Sequence, residues 1–262
     1  MEEVTEDTPL IELKSFSYAR AGTEILKEVS LAFREGQTTV LMGGAGSGKS
    51  SLLKAAAGLV APDSGELFYR GVRFDRLGAA GERDFRRHSG FVFQDAALWA
   101  NQSLFENLAL PLRVHEPAFG KAQVERAVAR AAEIVGYGES LKARPSELST
   151  GERRLIGLAR ALVLDPELLF MDEPAASLDE ETADRVFALI KGLRARRRTL
   201  VLVSGRSDFA YRSADSIGIL KAGRLVASGS YEELARHNDP ALRGVMERLR
   251  GRASPRDSEE DE

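Results

Sequence analysis

The feature that most constrains this sequence is a glycine-rich segment between a predicted strand and a predicted helix. Residues 38–42 are an apolar run that predicts a short buried strand, and residues 51–57 predict a helix that ends before Gly58. The segment between them matches the phosphate-binding pattern G-x-x-x-x-G-K-[ST], which works at the start of a helix. Its residues are Gly43, Gly44, Ala45, Gly46, Ser47, Gly48, Lys49 and Ser50.

The chemistry of such a loop depends on its backbone and on two side chains. Glycines let successive backbone N–H groups turn inward on phosphate oxygens, and the helix N-terminus adds partial positive charge. We expect Lys49 to reach the β- and γ-phosphates of a nucleotide and Ser50 to hold Mg²⁺, with Ser51 beside them in the first helical turn. The alternative is a glycine-rich turn with a chance lysine, which the strand-to-helix context disfavours.

Two carboxylates follow a second apolar run. Residues 168–171 predict a buried strand that ends in Asp172 and Glu173. Asp172 is expected beside the phosphate loop, where it can hold Mg²⁺ directly or through water. Glu173 is the candidate general base for the attacking water. The alternative is a polar strand end before Pro174, and the presence of the phosphate loop argues against it.

Composition excludes several classes of protein. The chain has 262 residues, 43% hydrophobic and 29% charged, which is ordinary for a soluble globular protein. A net charge of −3 argues against nucleic-acid binding, and no nucleic-acid partner is expected. The absence of cysteine excludes disulfides and thiolate metal sites. Because the N-terminus is acidic and no apolar run approaches about 20 residues, any membrane role is expected to come from a partner.

The order of predicted elements indicates the fold class. Short β-type segments separated by turns dominate the sequence up to about residue 74, and residues 104–164 have a helical pattern. Predicted strands over residues 168–171 and 199–203 then flank a predicted helix over residues 180–193. This alternation predicts an α/β fold with a mainly parallel sheet and helices on its faces.

Two charged segments are interpreted as solvated. The first is a basic run at the end of the predicted helix, expected to be an exposed C-terminal turn: Arg194, Arg196, Arg197 and Arg198. The second covers residues 251–262, which are polar and acidic and are expected to be disordered.

A capping motif precedes another predicted helix. In the sequence Leu148, Ser149, Thr150, Gly151, Glu152, the serine and the glutamate have the S-x-x-E spacing of a capping box. A capped helix N-terminus with a small glycine is also a site for an anion. The motif is therefore consistent with a structural role, with a binding role, or with both.

These motifs, in this order, resemble the nucleotide-binding subunit of an ABC transporter. The resemblance covers about residues 10–233. It implies an ABC-type P-loop ATPase with a RecA-like, mainly parallel sheet core, an N-terminal antiparallel β subdomain and a helical signature subdomain. The segments that carry it are the phosphate loop and residues 91–94, 148–152, 172–174 and 177–179.

The resemblance also implies boundaries. The ATPase domain would cover residues 10–235, with the helical subdomain at about residues 95–165. An acidic tail over residues 1–9 would precede it. An extension over residues 236–262, ending in an acidic disordered tail, would follow.

By the same resemblance, further residues belong to the site, which takes ATP and Mg²⁺. Tyr18 would stack on adenine, and Gln94 would sense Mg²⁺ and the permease. The turn over residues 149–152 would close on the γ-phosphate of ATP bound to a second copy. Asp179 would lie across that interface. A single such domain implies a homodimer around two Mg-ATP.

The sequence departs from the family pattern at two positions. Thr150 replaces the first glycine of the usual L-S-G-G signature and adds a β-branched side chain there. Where the family places a switch histidine, Ser204 is followed by Gly205 and then Arg206. Hydrolysis is expected to be slow unless Arg206 supplies charge in its place. The histidines of the chain all lie outside this motif: His88, His115 and His237.

Finer features resemble the ATPases of Mla/Mce systems, which move lipids between membranes. They are residues 93–99, 103–112 and 239–245. This resemblance implies an integral membrane permease, an Mce-type lipid-binding subunit, and a cytoplasmic location on the membrane through the permease. Importers of amino acids and exporters share part of the pattern and remain alternatives.

Two other functions remain open. A soluble ABC ATPase of translation or DNA repair typically has two nucleotide domains or a long coiled-coil insertion, and neither is found in this sequence. A partner that closes on ATP but hardly hydrolyses it is favoured by Thr150 and Gly205, and disfavoured by the intact Glu173.

Overall fold

The computed structural model describes residues 8–176, 178–205 and 214–236. These residues form two sheets and seven α-helices. The strands are β1 (Ile11–Arg20), β2 (Thr23–Phe33), β3 (Thr38–Gly43), β4 (Ser64–Tyr69), β5 (Val72–Arg73), β6 (Ser89–Val92), β7 (Leu168–Asp172), β8 (Thr199–Val203), β9 (Ser216–Lys221) and β10 (Arg224–Gly229). The helices are α1 (Lys49–Ala56), α2 (Gly78–His88), α3 (Leu104–His115), α4 (Lys121–Ile134), α5 (Thr150–Leu162), α6 (Glu180–Ala195) and α7 (Tyr231–Ala235).

A six-stranded sheet lies at the centre, in the order β10-β9-β3-β8-β7-β6. All neighbouring pairs are parallel except β10 and β9. Successive residues of β7 and β8 alternate between two hydrophobic clusters, one containing α1 and the other containing α3 to α6. Because side chains of a strand alternate between faces, this sheet separates two cores. The predicted mainly parallel α/β fold is confirmed.

The N-terminal part forms a second, antiparallel sheet in the order β2-β1-β4-β5. Its apolar side chains share a cluster with α1 and with one face of the central sheet. The pairing of β1 with β2 includes three register shifts, which the local sequence pattern does not reveal.

Helices α3, α4 and α5 follow β6 and precede β7 in the sequence, and they pack against one another as a helical unit. Ser103 begins α3 by accepting a hydrogen bond from the N–H of Glu106 at 3.1 Å. The helical pattern predicted over residues 104–164 is interrupted at residues 116–120, and again at residues 135–149, where a 3-10 turn lies at Pro145–Glu147.

The basic run near the end of α6 is only partly solvated, which corrects the prediction. Arg194 bonds Asp215 at 2.5 Å, and Arg198 lies 2.9 Å from Asp165. Arg196 and Arg197 are exposed. The paired acids are distant in sequence, so helix position alone does not predict these ion pairs.

Several predictions fall outside the described residues. They concern the acidic N-terminus, Ser177, Arg206, His237, and residues 239–245 and 251–262. Within the part that is described, none of the helices has both the length and the apolar content needed to cross a membrane.

Candidate nucleotide site

The phosphate loop joins the end of β3 to the start of α1, as predicted. Gly43 has φ 152°, and a Cβ built there would lie 2.3 Å from the carbonyl oxygen of Leu220. Gly46 and Gly48 have φ 71° and 101°, which also favour glycine. A Cβ built on Gly44 would meet no atom within 4 Å. The path of the loop therefore requires three of its glycines.

Unsatisfied donors occur within this loop. The Ser47 hydroxyl is buried, with 5% of the residue exposed, and has no hydrogen-bond partner in the described part of the chain. The first N–H groups of α1, from Lys49 onward, have no acceptor within the helix. A buried donor without a partner is costly, so the loop is suited to an anion with several acceptor oxygens.

Lys49 bridges the loop. Its Nζ donates to the carbonyl oxygens of Gly43 and Gly44, at 3.0 and 2.9 Å. A lysine cation held against neutral carbonyls gains more from an anionic oxygen. The side chain is therefore placed to exchange these bonds for bonds to phosphate.

Ser50 and Asp172 meet beside the loop. The Ser50 hydroxyl donates to Oδ1 of Asp172 at 2.9 Å, although 122 residues separate them. Asp172 is 3% exposed. The pKa of its carboxyl is raised, mainly by burial, although the Ser50 hydrogen bond and the charges of Lys54 and Lys49 act in the opposite direction. A buried carboxylate next to a hydroxyl supplies the oxygen ligands that Mg²⁺ prefers.

Glu173 follows Asp172 with a backbone conformation that is unusual for its residue type. Its φ is 50°, in the left-handed region, and its N–H donates to the carbonyl oxygen of Val203 at 3.0 Å. Its Oε2 accepts a hydrogen bond of 3.1 Å from the N–H of Gly205. Non-glycine residues with such angles persist where surrounding contacts fix them, and they often belong to functional sites.

The sequence does not show whether the backbone at Gly205 requires glycine, and the structure does. Its φ lies outside the left-handed region, so the backbone does not demand glycine. A Cβ built there would lie 3.5 Å from Oε1 of Glu173, an ordinary contact distance. The position that lacks a histidine is therefore directly beside the candidate base.

Gln94 lies at the same edge of the sheet as Asp172. Strand β6 ends at Val92, which pairs with Met171 of the parallel strand β7, so the residues that follow both strands emerge together. Gln94 is exposed. The role of Gln94 as a sensor of Mg²⁺ and of the permease remains a prediction.

Tyr18 lies on β1, next to strand β2, which borders the phosphate loop. It pairs with Leu26 of β2, and Leu26 Cδ2 lies 3.1 Å from a Cβ built on Gly48. Tyr18 is partly buried against the apolar cluster that contains α1. Tyr18 therefore lies opposite a residue that reaches the loop, and its role with adenine remains a prediction.

The signature turn forms a complete capping box. Ser149 Oγ accepts from the N–H of Glu152 at 3.2 Å, and the N–H of Ser149 donates to the Glu152 carboxylate at 2.8 Å. Hydrogen bonding to Ser149 lowers the pKa of Glu152. Thr150 Oγ1 accepts only a weak bond of 3.4 Å from Arg153. These hydrogen bonds all stay within the turn and the first turn of α5.

Gly151 and Asp179 are neighbours of this turn. A Cβ built on Gly151 would lie 3.5 Å from Leu178 Cδ2. Asp179 caps α6 by accepting a 2.8 Å bond from the N–H of Thr182, and this bond lowers the pKa of the aspartate. Gly151 lies within the capping box of α5, and Asp179 is the N-cap of α6. Caps of this kind are recognisable in a sequence.

Two residues that no sequence motif singles out support the site. Gly223, in the turn between β9 and β10, donates its N–H to the carbonyl oxygen of Ser47 at 3.1 Å. Arg154 of α5 donates to the carbonyl oxygen of Glu173 at 3.4 Å. A hairpin turn and a helix are recognisable in sequence, but no local signal shows that they contact the loop and the base.

The residues present fit Mg-ATP. The unpartnered Ser47 hydroxyl, the glycine path and the position of Lys49 suit phosphates, and the Ser50 and Asp172 pair suits the metal. Among the described residues, no cluster of three or more acidic or histidine side chains forms an all-protein metal cage.

Comparisons with known proteins agree with this geometry. The sequence model of the family described as ABC transporter matches residues 26–176. The methionine import ATP-binding protein MetN of Caulobacter vibrioides is 36% identical over 237 residues, which cover 89% of this chain and 70% of that protein. The nickel import ATP-binding protein NikO of Rhodobacter capsulatus is 37% identical over 235 residues, which cover 87% and 91%.

A solved structure extends the comparison to the fold. It is a dimeric post-hydrolysis state of an ATP-binding cassette bound to ADP and Pi, with a TM-score of 0.77 and 27% identity. The match covers 84% of this chain and 98% of that one. The fold and the site together define the class, which is the P-loop ATPase of the ATP-binding cassette type.

This chain belongs to the ABC transporter family. It is an ATP-binding subunit and an ATPase that uses ATP and Mg²⁺. ATPases of this kind work as dimers with a membrane permease.

Proposed function

We propose that two copies of this chain close around two Mg-ATP and drive a membrane permease that transports lipid, in a system of the Mla/Mce type. The observation that carries the ATPase part is the meeting of Ser50 and Asp172 at 2.9 Å beside the phosphate loop. Glu173 follows directly on the same strand end. This arrangement brings metal ligands and a base to the same edge of the sheet.

Each side chain has a proposed part. Lys49 binds the β- and γ-phosphates, Ser50 and Asp172 hold Mg²⁺, and bound Mg²⁺ neutralises charge on the phosphate oxygens. Glu173 orients the attacking water and accepts its proton. In the partner copy, the turn over residues 149–152 covers the γ-phosphate with the N–H groups of Thr150 and Gly151, and Tyr18 of the first copy stacks on adenine.

The lipid assignment rests on the segment over residues 93–112. Within it, Asn107 is buried, accepts from the N–H of Trp99 at 2.7 Å and donates to the Trp99 carbonyl at 3.1 Å. Trp99 itself is 53% exposed. An exposed aromatic side chain whose backbone is held by hydrogen bonds suits a protein interface. We infer that this surface meets the permease on the cytoplasmic side of the membrane.

Purification from detergent-solubilised membranes tests the assignment. Co-purification with a permease and an Mce-type lipid-binding subunit is the expected result. Recovery with a solute-binding protein and an amino-acid or sugar permease would overturn the lipid assignment and leave the ATPase intact. Trp99→Asp should reduce recovery of the permease, whereas Val72→Asp, at another exposed apolar side chain, should not.

A weakly hydrolysing subunit is the second candidate. It is favoured by Gly205, which offers only a backbone N–H to the Glu173 carboxylate where the family usually has an imidazole. Under this alternative, ATP closes the dimer but is released mostly uncleaved. Quenched-flow measurement of ADP formed per closed dimer distinguishes the two candidates.

A further inference from the structure

Arg160 holds the segment that follows Gln94 against α5. Its two terminal nitrogens donate to the carbonyl oxygens of Ala97 and Ala96, both at 2.8 Å. Arg160 is 63 and 64 positions from these two alanines, and helices α3 and α4 lie between them in the sequence. A guanidinium that binds two successive carbonyls fixes both the position and the orientation of that peptide segment.

The bound segment has a conformation that needs such support. Ala96 and Ala97 have φ 63° and 46°, two successive non-glycine residues in the left-handed region. Such angles are unfavourable for alanine and persist where the surroundings fix them. Arg160 satisfies both carbonyls that this conformation turns toward α5.

Close packing supports the same contact. A Cβ built on Gly157, one turn before Arg160, would lie 3.0 Å from Ala96 Cβ and 3.2 Å from Ala96 Cα. Ala96 is 1% exposed. Burial also lowers the pKa of Arg160, and the charge of Asp95 opposes this shift. The guanidinium is therefore partly desolvated, and two charge-assisted hydrogen bonds to carbonyls compensate for the lost water.

Helix α5 contacts three functional segments. It begins at the signature turn, Arg154 donates to the carbonyl oxygen of Glu173, and Arg160 binds the segment after Gln94. We propose that Arg160 is a positioning residue for hydrolysis, which makes Gln94 and the signature turn move as one body with α5. The proposal rests on the proposed roles of Gln94 and of the signature turn.

Steady-state hydrolysis by the whole chain tests this proposal. Arg160→Gln should lower kcat about tenfold and raise the Mg²⁺ concentration needed for half-maximal rate, because the position of Gln94 is no longer fixed. Arg160→Lys, which keeps the charge but not the two-pronged geometry, should fall between the wild type and Arg160→Gln. ATP affinity without Mg²⁺ should stay unchanged. Arg126→Gln, at an exposed arginine of α4, is the matched control.

Two double variants separate positioning from simple stability. In the Arg160→Gln background, Ala97→Gly should raise kcat about threefold, because glycine adopts positive φ without support. Gln94→Ala and Arg160→Gln should have less than additive effects on kcat, because both act through one segment. Additive effects with no glycine rescue would overturn the positioning role. If Gln94→Ala alone leaves the Mg²⁺ dependence unchanged, the role of Gln94 fails, and the proposal for Arg160 fails with it, while the ATPase assignment stands.

Discussion

The phosphate loop and the signature turn differ in how they are completed. The loop is completed by distant segments: Asp172 bonds Ser50, and the turn between β9 and β10 bonds Ser47. The signature turn is completed by its own residues, since its capping box closes within residues 149–152. The proposed metal ligands are therefore brought together within one chain. In the proposed dimer, the signature turn is a preformed surface that presents the N–H groups of Thr150 and Gly151 to the nucleotide of a second copy.

Replacement of the base tests the loop side most strongly. Glu173→Gln should lower hydrolysis by about 10² to 10⁴, or roughly 3 to 5 kcal/mol of barrier, because the amide cannot accept the proton of water. ATP binding should persist and a closed dimer should accumulate, seen as a doubled mass in light scattering. Glu167→Gln, just before the other end of β7, is the control. A wild-type rate in the assembled complex would show that Glu173 is not the base.

Loss of the loop cation should weaken binding before chemistry. Lys49→Ala should reduce ATP affinity by about 10²-fold, since each hydrogen bond to a charged group contributes about 1.5 to 3 kcal/mol. Lys54→Ala removes the same charge from the same helix outside the loop and should have a much smaller effect. Calorimetric titration measures both. Equal affinities for Lys49→Ala and the wild type would contradict the proposed phosphate site.

A charge in the signature turn should act only on the dimer. The φ of Gly151 lies outside the left-handed region, and an added Cβ would make only an ordinary contact with Leu178, so Gly151→Asp should fold. Its carboxylate should repel the partner's γ-phosphate and lower turnover about tenfold or more, because like-charge contacts cost several kcal/mol. ATP affinity of the single chain should not change, and Gly151→Ala is the neutral control. A mixture with Lys49→Ala should recover one working site. Weaker ATP binding by Gly151→Asp alone would break the comparison between the two regions.

The smallest expected effect concerns the missing histidine. Gly205→His should raise turnover in the assembled complex about threefold, because an imidazole beside Glu173 would help to align water and phosphate. Gly205→Ala adds the Cβ without the imidazole and should give no gain. Loss of activity in both variants, with intact folding, would instead indicate that the Gly205 N–H contact with Glu173 needs an unobstructed backbone.

Much of the site was predictable because its chemistry is local. The strand, glycine loop and helix around Lys49 are contiguous, and the capping residues Ser149 and Asp179 lie three positions from the N–H groups they bind. The contacts of Arg160 were not predictable. An arginine inside an amphipathic helix has many possible partners, and the positive φ of Ala96 has no signal in a residue type that normally avoids it.

The sequence by itself therefore determined the phosphate loop, the acidic strand end, the capped helices and the α/β class, since each depends on neighbours within a few residues. Only the tertiary structure decided that Ser50 meets Asp172, that Gly205 faces Glu173, and that α5 contacts the segment after Gln94. The physical reason is that parallel strands must be joined by long crossovers. The register of β3, β7 and β8 brings their carboxyl ends to one edge regardless of how many residues separate them.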